Sequence, residues 1–328
     1  MRVLTWLDGQ LPFERACEVV AELAGVAVST SSNWRIAQTW GAAMQEVVAA
    51  EEATMKAQAR EWSTPGGRPQ PEQRLGLAMD GAMLNIRGEG WKEFKLGCVY
   101  EVELETRRDE RSGDVGEFGR AAHLSYVAHL GGPEVFGWQV WTEAQRRGWA
   151  HVCASIVMGD GAVWIWNLHN DHFHTSLALV DWYHATEHLG HAKQLLYPEG
   201  GARATRWHNE QEEALYQGHA ERIARDLTVA ATQESDPERA VALHTAAGYF
   251  KHNRDRMHYH DYRIEGWPIG SGMVESGAKQ FKARVTGSGM RWSRPGADTM
   301  LTLCGAALTS RERFDCLWTT AYANLPPS

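Results

Sequence analysis

No stretch of the chain approaches 18 consecutive apolar residues, so no membrane-spanning helix is expected. A basic segment followed by an apolar one is missing at the N-terminus, so no signal peptide is expected either. The five cysteines (Cys17, Cys98, Cys153, Cys304 and Cys316) are scattered and odd in number, and no Cys-x-x-Cys pair occurs. This excludes a zinc ribbon and fits reduced thiols in a cytoplasmic protein. His-Glu-x-x-His is also absent: Glu187 directly precedes His188, and His191 follows three residues on, not four. Positive charge is scarce overall, at a net −8, which argues mildly against a nucleic-acid partner. The scarcity is uneven. Lys279, Lys282, Arg284, Arg291 and Arg294 fall in one stretch without an acidic residue, and a DNA-handling protein needs only a local positive face.

What is present is ordinary for a globular protein, 43% apolar and 23% charged over 328 residues, enough for two or three domains. Residues 1–60 read as helical. Helical spacing runs from Leu11 to Leu23, Gly25-Val26 breaks it, and Ser29 to Ser32 offer N-caps for a second helix through Trp34 to Met44. This could be a helix-turn-helix, with Arg35 and Gln38 reaching base edges, or a plain helical hairpin. Residues 61–73 are rich in proline and glycine and read as a linker. Over 74–181 the pattern predicts strands at Leu75–Met79, Lys95–Glu105, Ala121–His129, Ala154–Met158 and Ser176–Val180, with a helix over Val135–Arg147. The order β-β-β-α-β-α-β predicts an α/β mixed sheet of the ribonuclease-H-like kind, with the first and fourth strands adjacent. Residues 182–265 read as a helical insertion. Residues 266–328 return to the core with one helix over 273–285 and another over the apolar run Met300–Leu308.

Two aspartates stand at the ends of apolar runs and are followed by glycine: Leu77-Ala78-Met79-Asp80-Gly81 and Val157-Met158-Gly159-Asp160-Gly161. Ile269-Gly270-Ser271-Gly272-Met273-Val274-Glu275 puts a glutamate just inside a helix. Taken singly, an Asp-Gly is most often a turn, and the glutamate merely suits a helix start. Taken together, three acids on adjacent elements would repel by about 4 kcal/mol per pair at 4 Å. Divalent cations relieve that repulsion, and two Mg²⁺ ions suit carboxylate oxygens and phosphoryl transfer on DNA.

Asp181-Trp182-Tyr183-His184 follows the fifth strand. Its aspartate and histidine share one face of a helix start, either to orient a substrate group or simply as a cap and a packed ring. Histidines are dense at His169, His172, His174, His184, His188, His191, His258 and His260, and a zinc-dependent hydrolase is the rival this raises. The basic stretch carries Trp292 between Arg291 and Arg294. It suits a DNA backbone and a stacked end base, or else a solvated helix face.

Five segments together resemble the DDE-type transposases of bacterial insertion sequences, most closely the ISKra group. They are Leu11-Pro12-Phe13-Glu14 with the hairpin after it, Met79-Asp80-Gly81, Gly159 to Asn167, Val180 to Ala185, and Gly270 to Ser276 with Arg291-Trp292 beyond. The resemblance implies a ribonuclease-H-like catalytic domain interrupted by helices, with Asp80, Asp160 and Glu275 as catalytic acids and ligands of two Mg²⁺ ions, Mn²⁺ substituting. It implies an accessory Asp-x-x-His at Asp181 and His184. Lys279, Lys282, Arg284, Arg291, Trp292 and Arg294 are the DNA contacts expected from the basic stretch itself, and the resemblance adds a homodimer on transposon ends and target DNA in the bacterial cytoplasm, at the nucleoid. Strand cleavage by water and strand transfer by the freed 3′-hydroxyl are the implied reactions. Relatives carry an upstream cysteine-rich zinc segment that this chain lacks, so it is read either as a shortened copy or as one whose start is set late. The alternative function is a catalytically silent DNA-binding remnant that represses its element.

Overall fold

The computed structural model describes residues 1–59, 70–109, 113, 115–287 and 289–324. Three helices come first: α1 (Arg2–Asp8), α2 (Phe13–Ala24) and α3 (Thr30–Ala59). Then follow β1 (Gln70–Ile86), β2 (Gly90–Arg108), β3 (Val115–His129), α4 (Pro133–Arg146), β4 (Val152–Gly159), α5 (Val163–His172) and β5 (Leu177–Val180). Five helices succeed them: α6 (Trp182–Leu196), α7 (Ala202–Tyr216), α8 (Ala220–Gln233), α9 (Pro237–Asn253) and α10 (Tyr259–Ile264). The chain closes with α11 (Gly272–Val285), α12 (Arg294–Thr309) and α13 (Arg311–Asn324).

The protein is α/β, with one five-stranded mixed sheet in the order β3-β2-β1-β4-β5. β1 and β2 are antiparallel, and β4 and β5 parallel. The adjacency of the first and fourth strands expected from the sequence is present. Most elements outrun their expected bounds. Of the linker expected over 61–73, residues 61–69 lie outside the described residues, while Gln70 already begins β1. β1 also runs on past Asp80-Gly81 to Ile86, so this Asp-Gly is not a strand end. The reason is the alternation of Ala82, Leu84 and Ile86, all buried, which continues the sheet face. The turn comes at Gly88, in the left-handed region at φ 78°.

The chain divides into two compact units. The first comprises Met1–Glu101, His123–Ala154 and Gly272–Ser328; the second comprises Val102–Ala122 and Ser155–Ser271. In the first, α4 covers one face of the sheet. Gly97 lies so close to it that a Cβ would stand 2.8 Å from Val140. The other face takes α11: Phe281 meets Phe94 at 6.2 Å and Tyr126 at 6.3 Å between ring centroids. α3 is anchored by Trp40 stacked on Trp318 at 3.7 Å. In the second unit, α8 and α9 form a hairpin and α6 packs on α7 and α9. α9 starts where Asp236 accepts from the backbone N–H of Glu238 and Arg239, with Pro237 in the first turn. Among the described residues no helix is long and apolar enough to cross a membrane.

Candidate functional site

Asp80 pairs with Leu96 in the β1–β2 register, two residues from the Ala82–Phe94 pair. Side chains alternate along a strand, so Asp80 stands on the face of Phe94, where α11 packs. The half-buried carboxylate accepts from the Gly81 amide at 2.7 Å. Gly81 itself points to the opposite face, where a Cβ would collide with Glu93, which is paired with the buried Lys95. The close approach demanded of this glycine thus serves an ion pair.

Glu275, half-buried, lies in the first turn of α11, where the helix dipole favours an acid. Tyr126 positions that turn. Its hydroxyl donates to the Met273 carbonyl at 3.2 Å, and its ring leaves no room for a side chain at Gly277, whose Cβ would lie 2.3 Å away. Asp80 and Glu275 therefore belong to β1 and to the helix packed on it, 195 positions apart in sequence.

Asp160 stands just past β4, as expected. Its carboxylate caps the loop by accepting from the Ala162 N–H at 2.8 Å. Gly161 beside it has φ 104°, a conformation that L side chains avoid. The loop is held from the helical insertion: the Tyr249 hydroxyl donates to the Asp160 carbonyl at 2.9 Å. Burial first, and Asp160 second, keep that phenol protonated. Nothing in the local sequence marked Tyr249, because its partner is 89 residues away.

Asp181 is fully buried. Its Oδ2 accepts from the backbone N–H of His184 at 3.0 Å and faces His184 Nδ1 at 2.7 Å; its Oδ1 accepts from the Ser271 amide at 2.7 Å. It is at once the N-cap of α6, the tether of the Gly270-Ser271-Gly272 segment and the partner of an imidazole. A hydrogen on Nδ1 leaves the lone pair on Nε2, the arrangement by which a buried carboxylate orients a ligand histidine. The sequence marks the Asp–His pair but carries no local signal for Ser271, whose partner Asp181 is 90 positions away.

Asp181 and His184, both in the second unit, offer carboxylate and imidazole donors of the kind a metal ion takes. The remaining histidines form no three-donor cluster among the described residues, so the zinc reading built on them finds no site. His188 instead stacks on Tyr249 at 3.6 Å, and burial lowers its pKa.

The basic stretch splits. Lys279, Lys282, Arg291 and Arg294 are exposed, Arg294 with Glu89 as its ion partner at 2.5 Å. Arg284 and Trp292 are corrected: both are buried, at 1% and 7% exposure, and neither can reach a DNA backbone or stack on an end base. Arg284 donates to the Asp8 carbonyl and lies 4.3 Å from the Phe13 ring centroid. Trp292 pairs with the end of β1 through Asn85 and Arg87, and its indole N–H donates to Val285 at 2.7 Å. The physical reason is helical phase. Arg284 falls three residues after Phe281, on the apolar side of α11, while Lys279 and Lys282 fall on the other. In the N-terminal hairpin, Arg35 is exposed but Gln38 has its amide nitrogen buried. No protein-family model matches the chain, and no curated protein is detectably similar to it.

Proposed function

We propose that this protein is a DDE-type transposase with a ribonuclease-H-like core, cutting and joining DNA strands at Asp80, Asp160 and Glu275. The observation that carries the reading is the β1 register, which sets Asp80 on the face covered by the helix bearing Glu275. Asp160 supports it from the end of β4, the neighbour of β1, and five helices precede α11 where an insertion was expected.

The donor types fit a divalent cation. Asp80, Asp160 and Glu275 carry hard oxygen donors of the kind Mg²⁺ takes, and His184 a nitrogen that suits Mn²⁺ as well. Bound there, the metal would neutralise phosphate charge and lower the pKa of a water or a 3′-hydroxyl. The protein's own part is positioning. Tyr249 and Ala162 fix the Asp160 loop, Tyr126 fixes the start of α11, and Asp181 holds His184 in one tautomer. Lys279, Lys282 and Arg291 are the exposed cations placed to meet phosphates of the bound ends. A homodimer would hold two ends together at the nucleoid.

The test is Mg²⁺-dependent nicking of DNA carrying the inverted repeats that flank the gene. Asp80→Asn should lower cleavage by on the order of 10²-fold or more while the variant folds and binds DNA normally. Equal cleavage by variant and parent would end the assignment of Asp80. DNA binding without nicking under any divalent cation would instead establish the silent repressor.

A further inference from the structure

Within the first unit, α1, α3 and α11 meet at a buried polar cluster that none of the chemistry above uses. Asp8 ends α1 with no exposure, and Arg284, near the end of α11, is 1% exposed. The guanidinium lies 4.3 Å from the Phe13 ring centroid and 5.8 Å from that of Trp292. Its Nε donates to the backbone carbonyl of Asp8 and not to the carboxylate. Asn33 Nδ2 is the one donor on that carboxylate among the described residues, at 2.7 Å to Oδ1. Asp8 Oδ2, Asn33 Oδ1 and both Nη atoms of Arg284 are buried and have no hydrogen-bond partner among the described residues.

A buried carboxylate with a single donor is costly as an anion, and a proton on Oδ2 removes that cost. Burial accordingly lifts the Asp8 carboxyl to about 7, against Asn33 and Arg284. The other titratable groups facing it are the thiols of Cys17 on α2 and Cys304 on α12. Burial raises both, so neither gains charge below pH 8, and Arg284 stays a cation throughout. The two sides of the cluster are held differently. Gly9, beside Asp8, lies so close to α12 that a Cβ would stand 2.5 Å from Ala307, which fixes the end of α1. The freedom to respond therefore lies with Arg284 and the end of α11.

We propose that Asp8, Asn33 and Arg284 form a proton-held latch, fastening the end of α11 to α1 while Asp8 is neutral and slackening when Asp8 ionises. The inference goes beyond the transposase reading and does not depend on it, although α11 is also the helix that carries Glu275. With Asp8 neutral, the guanidinium rests on one carbonyl and two rings. When the proton leaves, Oδ2 becomes a buried charge without a donor. Turning an Arg284 Nη toward it or admitting water relieves that charge, and each disturbs the present seat of Arg284. The carboxyl holds its proton above the ordinary carboxylate range, so the latch is fastened in acid and slackens as pH rises through about 7.

The experiment is amide hydrogen exchange of the full chain, read by mass spectrometry over α11 and, as the reference, over α4 on the opposite face of the sheet. Rates are taken at pH 5.5 and pH 8 and corrected for the intrinsic pH dependence of exchange. Opening of α11 should rise on the order of tenfold between the two, with α4 level. Asp8→Asn keeps the shape and cannot ionise, so it should remove the rise. Asn33→Ala takes away the one donor that steadies the anion, so it should move the midpoint of the rise to higher pH. Equal exchange of α11 at both pH values in the parent, a rise shared equally by α4, or a rise that survives Asp8→Asn overturns the latch. None of these outcomes involves DNA, so the latch and the transposase reading fail separately.

Discussion

Asp8 in the first unit and Asp181 in the second are both fully shielded from solvent, and their surroundings treat them in opposite ways. Asp181 receives hydrogen bonds on both oxygens, from His184 and from Ser271. Asp8 receives one, from Asn33 Nδ2 at 2.7 Å, and its Oδ2 has no hydrogen-bond partner among the described residues, although the Arg284 charge is near. Burial pushes the Asp8 carboxyl from 3.8 up to about 7 against the pull of Asn33 and Arg284. Equal burial therefore does not mean equal chemistry. Three hydrogen-bond contacts make Asp181 an organiser of its neighbours, whereas burial with a single donor makes Asp8 a group that holds a proton. The Asp181 arrangement ties a candidate ligand to two chain segments; the Asp8 arrangement pins α11 to the N-terminal helices through Arg284.

The sharpest break in this comparison is to remove each partner. Asp181→Ala strips the N-cap of α6 and orphans the buried Ser271 amide, for a loss of roughly 3–5 kcal/mol in denaturant unfolding. It should also depress cleavage through His184. A loss below about 1 kcal/mol would mean that Asp181 is no more than an ordinary helix cap. Arg284→Met should cost about 3 kcal/mol at pH 8, where the Asp8 anion is left without its cation, and distinctly less at pH 5, where Asp8 is protonated. The same loss at both pH values would contradict the proton-holding character of Asp8.

Asp8→Asn tests the pH sign directly. Between about pH 4 and 7 the folded protein keeps the Asp8 proton that the unfolded chain releases. Stability from this group is therefore greatest below pH 4, falls as pH rises through that window, by about 4 kcal/mol at most, and is level above it. The difference between parent and variant unfolding free energies should follow that curve, and a flat difference would place the Asp8 titration elsewhere. Gly277→Ala forces a methyl against Tyr126 and should cost about 1–3 kcal/mol, shifting the start of α11 and lowering cleavage more than DNA binding. Lys282→Gln, at an exposed position of the same helix, should change stability by less than about 0.5 kcal/mol. It should lower the salt dependence of DNA binding by about one phosphate contact, and an unchanged salt slope would remove Lys282 from the interface.

Much of the secondary structure was legible in local patterning. The five strands, α4, α11 and the helical stretch from 182 onward follow from apolar periodicity, and the Gly25 break appears as a left-handed helix cap at φ 65°. Within the stretch 1–60 that reads as helical, α1 as a separate element and the run of α3 past Met44 to Ala59 were not legible. Seven residues carry too little periodicity to register, and α3, a helix of 30 residues, depends on packing against α12 and α13. In the candidate site the acids and the Asp–His pair were legible because glycine and cap residues flank them. The residues that hold them, Tyr126, Tyr249 and Ser271, were not, because each acts on a partner 90 or more positions away or, for Tyr249, 89.

By itself the amino-acid order determined which segments are strands and which are helices, and placed Asp80, Asp160 and Glu275 on their elements. Those choices depend on neighbours within one or two turns of chain. Which cations face water was decided by tertiary packing alone. Arg284 and Trp292 share a basic stretch with Lys282 and Arg291, and only the docking of α11 on the sheet turns the first two inward. A linear charge pattern cannot report that, since burial depends on which face of a helix meets another element and not on the residues beside it in sequence.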